Sequence, residues 1–335
     1  MKYIRVLNEI AATLWAMDPI KLQIMLESMR AKADGVDLLA DVPESQRVET
    51  YDPRLARNHG GVFYTLDGET DFSASISPQQ ASGIARKSGK VAVLPIRGII
   101  SHRMGGIDEM SGGTSSERLA KALAELRDTD SIKAVVLDVD SPGGSTFGAI
   151  ETADAIYSMR GVKPVVAQVN ATAASLAYWY AVQAEEVVVT PSAAAGSIGV
   201  YSVHKDISEM LSKAGIKPTI VKDGENKAEG SEFGPLSEDA RAHLQEMVSA
   251  MGNQFRAHVA RGRGVSASDV KANFGDGRMF LADELVKRGM ADRVATMEQT
   301  LNRFGASLNG AKPQAKAQQS FAAYKAKLNL LQQGL

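Results

Sequence analysis

An α/β fold with a parallel sheet core, carrying helical extensions at its amino and carboxyl ends, is predicted by three features of this 335-residue chain. Nearly continuous apolar runs at residues 132–139 and 164–169 read as strands buried on both faces. Such runs alternate with helical patterns throughout the central part of the chain, as βαβ units require. Two of the runs pass through tight turns into helices, at Asp140-Ser-Pro-Gly-Gly-Ser145 and at Ala173-Ala-Ser-Leu-Ala-Tyr178. Both turns fall at the carboxyl ends of their strands, the edge where open α/β sheets bind ligands.

In chain order, residues 1–34 show two amphipathic helical patterns split at Asp18-Pro19, where Asp caps and Pro takes the first helical position. The apolar stretch 10–17 is short, contains Thr13 and is bracketed by Glu9 and Asp18, which does not read as a signal peptide. No apolar run is long enough to span a bilayer, so no membrane anchor is expected. Residues 35–87 mix Pro43, Pro53, Pro78 and Gly60-Gly61 with scattered charges, and read as an arm with a short strand near 61–66. Three regions result: an arm over 1–87, a core over 88–296 and a tail over 297–335.

The core opens with a strand over 90–96, a Gly-rich loop over 105–113, and a helix over 115–127 whose Leu119, Leu123 and Leu126 share one face. Strand 132–139, helix 146–159, strand 164–169 and a helical stretch over 173–184 follow. Next come expected strands at 186–190, 197–203 and 217–222, with a helix at 207–214 between the last two. A long helix runs from Ser237, with Glu238 and Asp239 in its first turn, to about Arg261. A strand–helix–strand unit over 276–294 closes the core. The tail beyond residue 300 carries Arg303, Lys312, Lys316, Lys325 and Lys327 with no acidic residue, and places Phe321, Tyr324, Leu328 and Leu331 at helical spacing. It reads either as a frayed end or as a docking helix for an acidic partner.

Composition excludes several functions. A net charge of −1 with 44% apolar residues is ordinary for a globular protein and argues against nucleic acid as a partner. The absence of cysteine removes disulfides, thiol catalysis and cysteine-ligated metal, and suits a reducing, cytoplasmic setting. Asp138 and Asp140 lie two apart on one strand and share a face, but no third metal ligand accompanies them. The loop 105–113 lacks the lysine and serine of a phosphate loop. No cofactor or metal is expected.

What remains is acyl chemistry. Gly143 and Gly144 leave backbone N–H groups unshielded, suited to an oxyanion, and Ser175 opens a helix where it could serve as the nucleophile. From the pattern alone the plainer reading of the same residues is an ordinary strand-to-helix loop and a helix N-cap. Five histidines (59, 102, 204, 243 and 258) leave a Ser-His-Asp triad open. His204, with Asp206 beside it and 29 residues after Ser175, is its strongest candidate.

Asp140-Ser-Pro-Gly-Gly144, Ala173-Ala-Ser175, Gly196-Ser-Ile-Gly-Val200 and Lys222-Asp-Gly-Glu-Asn-Lys227 stand in the order and spacing of the signal peptide peptidase A family. The chain resembles these Ser/Lys serine peptidases of the Clp/crotonase fold over roughly 88–296. The likeness extends to their tailed-phage branch, the lambda-type capsid (prohead) proteases, through Val91-Ala-Val-Leu-Pro-Ile-Arg-Gly-Ile-Ile100 and Pro235-Leu-Ser-Glu-Asp-Ala-Arg241. The resemblance implies a Ser175/Lys227 dyad and an oxyanion hole from the N–H groups of Gly143 or Gly144 and Leu176. It gives supporting places to Tyr178 and Ser197. It implies a protein substrate, a scaffold or capsid precursor cut during prohead maturation, and assembly as a homo-oligomer. Cellular members are usually membrane-anchored and carry glycines directly after the serine; this chain has Leu176-Ala177 there. Alternatives are a cytoplasmic housekeeping peptidase of the same family, a crotonase-fold acyl-CoA enzyme and an inactive assembly scaffold. A lysine base needs burial to act at neutral pH, whereas Lys227 sits in a polar stretch, so a neighbouring subunit or the Ser175 pocket would have to exclude water.

Overall fold

A computed structural model describes residues 15–17, 62–65, 90–103, 113–130 and 132–308. Its centre is a parallel sheet of β3 (Lys90–Ser101), β5 (Ile132–Ser145), β6 (Val165–Ala174), β7 (Glu186–Val189) and β10 (Arg293–Val294), in the spatial order β10-β7-β6-β5-β3. Three short strands extend it: β2 (Val62–Thr65) pairs antiparallel with β3, β4 (Thr114–Ser115) pairs with β3, and β8 (Ala194–Gly196) pairs with β6. Strand β9 (Met279–Leu281) runs antiparallel to β8, and β1 (Trp15–Met17) antiparallel to β5.

Alternation along the strands sorts side chains to the two faces. Leu94, Ile96, Leu137, Val139, Ala167 and Val169 pack in one cluster with the helices α1 (Ser116–Asp128), α2 (Ala149–Tyr157) and α3 (Leu176–Ala181). Val91, Val93, Ala134 and Val136 face the other way and are covered by Met297, Leu301 and Phe304 of α8 (Met297–Leu308). Covering both faces explains why these strands read as unbroken apolar runs. Helix α1 begins where the Ser115 side chain accepts from Arg118 N–H, and it buries Leu119, Leu123 and Leu126 as their spacing predicts.

Helix α4 (Ser208–Lys213) exposes most of its surface, while α5 (Glu238–Arg263) starts at a Ser237 cap and stops at left-handed Gly264. Helices α6 (Ala267–Asn273) and α7 (Ala282–Lys287) complete the closing region, where β9, α7 and β10 form the expected strand–helix–strand. Among the described residues no helix is long and apolar enough to cross a membrane.

Several expectations are corrected. Residues 15–17 form a strand where a helical pattern was expected, because the free edge of β5 offers backbone partners that outweigh local propensity. The expected strand at 197–203 does not form: β8 ends at Gly196, and only an isolated bridge at Tyr201 follows. Residues 217–222 form no strand; they lie exposed, and no strand among the described residues pairs with them to satisfy a ladder. Strands β5 and β6 run further than expected, through the Pro-Gly-Gly segment to Ser145 and up to Ala174. The Gly-rich stretch 105–112, His59 and the tail beyond 308 lie outside the described residues.

Candidate active site

Three of the four sequence motifs converge on Ser175. Strand β6 delivers it to the carboxyl edge of the sheet, where the chain turns abruptly into α3 with Ser175 at φ 54° and ψ −117°. That conformation is unfavourable for a residue with a side chain, costing on the order of 1–3 kcal/mol, and such strain concentrates at functional sites. Its N–H donates to the Gly196 carbonyl at 2.8 Å, and its Oγ donates to the Gly199 carbonyl at a long 3.4 Å. The Gly196-Ser-Ile-Gly199 motif therefore wraps both polar ends of the serine. Gly196 itself needs to be glycine, since a Cβ there would stand 2.6 Å from the Arg278 carbonyl. Ser175 is almost fully buried, and all of α3 behind it is buried.

The Pro-Gly-Gly segment supplies the second wall. Gly143 has φ 97°, and the place its Cβ would take lies 3.1 Å from the Leu176 backbone nitrogen. The Gly143 backbone and the amide that follows Ser175 are thus neighbours, as a two-donor oxyanion hole requires. Ser141 sets this loop: its buried hydroxyl donates to the Gly98 carbonyl at 2.6 Å and accepts from the Gly143 N–H at 3.1 Å. That contact engages the Gly143 N–H, which would have to leave Ser141 Oγ before it could serve an oxyanion. Gly144 plays a different part, because a Cβ there would collide with the Ile100 backbone of β3 at 1.8 Å. Sequence reasoning gave Ser141 no role; its position two residues before Gly143 in a tight turn was the available signal.

The fourth motif stands apart. Lys227 is exposed in a turn where its N–H donates to the Gly224 carbonyl at 3.2 Å. No contact between Lys227 and Ser175, Tyr178 or Ser197 is found among the described residues. Tyr178 is buried, its hydroxyl donates to the Met290 carbonyl at 2.8 Å, and burial pushes its phenol far above the usual range. It braces α3 and holds its proton at any ordinary pH. Ser197, at φ 55°, is half-buried and donates its N–H to the Arg278 carbonyl at 2.8 Å.

None of the four described histidines contacts Ser175, whose hydroxyl meets the Gly199 carbonyl instead. His204 Nε2 lies 3.1 Å from the Gly234 carbonyl. His258 is buried and accepts from the Trp179 indole at 2.9 Å. His243 is exposed on α5, and the His102 carbonyl receives Ser115 Oγ and Glu117 N–H at the start of α1. Asp138 forms an ion pair with Arg97 and accepts from Asn170 at 3.4 Å, a structural role for one of the two strand carboxylates. Among the described residues no cluster of potential metal ligands occurs.

A buried serine on a strained strand-to-helix turn, facing glycine backbone at the open edge of a parallel sheet, has the layout of a nucleophilic hydrolase. Residues 158–310 match the model of Peptidase family S49, a segment that contains Ser175, Gly196-Ser-Ile-Gly199 and Lys227. The chain is 32% identical over 237 residues to the head-tail preconnector protein GP5 of Enterobacteria phage P21, covering 69% of this chain and 47% of that protein. It is 31% identical over 252 residues to the capsid assembly protease C of Escherichia phage lambda, covering 73% of this chain and 56% of the relative. A putative signal peptide peptidase SppA of Enterococcus faecium is 28% identical over 181 residues, covering 54% of this chain and 52% of that protein. The resemblance read from the motifs, to signal-peptide-peptidase-type serine peptidases and to phage capsid proteases, is borne out. The chain spans about half the length of the two phage relatives.

Proposed function

We propose that the chain is a serine endopeptidase of prohead maturation that cuts a scaffold or capsid precursor protein, with Ser175 as nucleophile and Lys227 as base. The observation that carries this reading is the convergence on Ser175 of the Pro-Gly-Gly loop and the Gly-Ser-Ile-Gly loop within a Peptidase family S49 match. Ser175 Oγ adds to the carbonyl carbon of the substrate as neutral Lys227 takes its proton. The oxyanion is held by the Leu176 N–H with that of Gly143 or Gly144. Lys227 then gives the proton to the departing amine, and water resolves the acyl ester. The name of the lambda relative, a capsid assembly protease, supports a substrate taken from the assembling capsid, and peptide hydrolysis by this layout needs no cofactor.

Lys227 reaches this role through assembly. It lies between exposed apolar residues, Ile216, Ile220 and Val221 before it and Phe233 after it, on a stretch that makes no sheet contact. A second copy packed on this stretch would bury it and exclude the water that keeps a lysine protonated. The reading is tested by incubating the purified chain with candidate scaffold and capsid precursors and sequencing the product termini. Cleavage by the native chain and none by Ser175→Ala is expected. Undiminished cleavage by Ser175→Ala would remove the nucleophile assignment.

A further inference from the structure

The groove beside Ser175 holds a segment of the chain itself. Beyond its pairing of Ser141 with Ala173, β5 loses β6, which turns away into Ser175 and α3. At Gly143 and Gly144, β5 keeps β3 on one side and would present bare backbone on the other. That edge is taken by β1, antiparallel, with Trp15 opposite Ser145, Ala16 opposite Gly144 and Met17 opposite Gly143. Addition of an extended segment to a free sheet edge is how many proteins hold a peptide.

The register brings one carbonyl close to the amide that follows Ser175. The Ala16 carbonyl oxygen lies 2.2 Å from the position a Gly143 Cβ would take, and the Leu176 nitrogen lies 3.1 Å from that same point. The carbonyl of Ala16 and the amide next to Ser175 therefore share one small space, which exists because residue 143 has no side chain. Ala16 is fully buried there, so the position admits a small side chain and no larger one.

We propose that β1 is an internal substrate and that the chain cleaves its own Ala16–Met17 bond, an inference resting on the peptidase reading above. Ser175 Oγ adds to the Ala16 carbonyl carbon, the bond to the Met17 nitrogen breaks, and the proton lost by Ser175 ends on that nitrogen through the base. Water then cleaves the Ser175 ester, which restores the hydroxyl and leaves a carboxylate at Ala16. The product chain begins at Met17, and departure of residues 1–16 opens the β5 edge to substrates supplied from outside. The cleft thus also states its preference: an extended peptide with alanine, or a residue as small, before the cut.

The test follows the intact mass and amino-terminal sequence of the purified full chain over time, beside the Ser175→Ala chain. In parallel, a fluorophosphonate probe reports whether Ser175 is reactive. A new terminus at Met17 in the native chain, with Ser175→Ala left whole, is expected. Ala16→Trp should slow this cleavage by at least about tenfold, since the bulky ring has no room at the buried position. A chain that stays whole while Ser175 takes the probe would overturn the inference and leave the peptidase reading standing. Trimming of Ser175→Ala at the same bond would also overturn it. A serine that neither reacts nor cleaves would remove the peptidase reading, and this inference with it.

Discussion

At the scale of single residues, Ser175 is held by its backbone more than by its side chain. The hydroxyl makes one long contact to the Gly199 carbonyl, whereas the turn is fixed by the Gly196 carbonyl and by the burial of α3. Ser175→Ala should therefore abolish cleavage while shifting stability by no more than about 1 kcal/mol, which thermal denaturation would check. The base is separable by substitution. Lys227→Ala should reduce kcat by orders of magnitude, and His204→Ala, which loses a contact to the Gly234 carbonyl, should keep most of it. Lys227→Arg should not rescue, because a guanidinium holds its proton at any assay pH. Near-normal turnover in Lys227→Ala beside a dead His204→Ala enzyme would make this a Ser-His peptidase.

At the scale of elements, α5 and the closing strands are joined by buried polar groups. Arg263, at the end of α5, makes two 2.8 Å contacts to Asp292, whose carboxylate also accepts from Val187 N–H at 2.7 Å. Burial works against the Asp292 charge, but the Arg263 hydrogen bonds and charge prevail and hold the carboxyl below its usual range. A lowered folded-state pKa means stability that is complete above the unfolded value of about 3.9 and lost as pH falls through the folded one. Arg263→Ala leaves that carboxylate buried without its partner and should cost about 3–5 kcal/mol in denaturant unfolding. His258 follows the same sign. Desolvation and the nearby Arg261 lower its pKa, opposed by Asp154, and its Nδ1 must be unprotonated to accept from Trp179. Its contribution is present above about pH 6.5 and lost as pH falls through the lower folded value. Acidification should thus weaken the α3–α5 contact, visible in Trp179 fluorescence, and His258→Gln should flatten that dependence. A native-like pH response in His258→Gln would contradict the assignment.

At the scale of the molecule, the pattern of apolar runs carried the parallel sheet, and leucine spacing carried α1, because burial on two faces or one leaves a clear period in sequence. The Ser175 turn and its two glycine loops were marked by motif and by strand-to-helix position. Gly196-Ser-Ile-Gly199 showed no reason for its residues until its carbonyls were found on either end of Ser175. Strand β1 was invisible as a strand, since three residues hold no period and their pairing partner lies more than a hundred residues away. Residues 217–222 misled in the opposite direction: Ile220 and Val221 favour a strand locally but find no sheet partner among the described residues. That exposed apolar stretch predicts self-association. Sedimentation should show an oligomer, and Val221→Asp should shift it toward monomer and lower activity together. Full activity from a monomer would contradict the proposed completion of the site.

The central claim is that Ser175 is the reactive group, and covalent labelling addresses it most directly. A fluorophosphonate added to the purified full chain, followed by peptide mapping, should place one adduct on Ser175 and none in the Ser175→Ala chain. An acyl-CoA enzyme or an inactive scaffold built on the same sheet would take no label. Absence of the adduct, or an adduct on another serine with cleavage persisting in Ser175→Ala, would contradict the account.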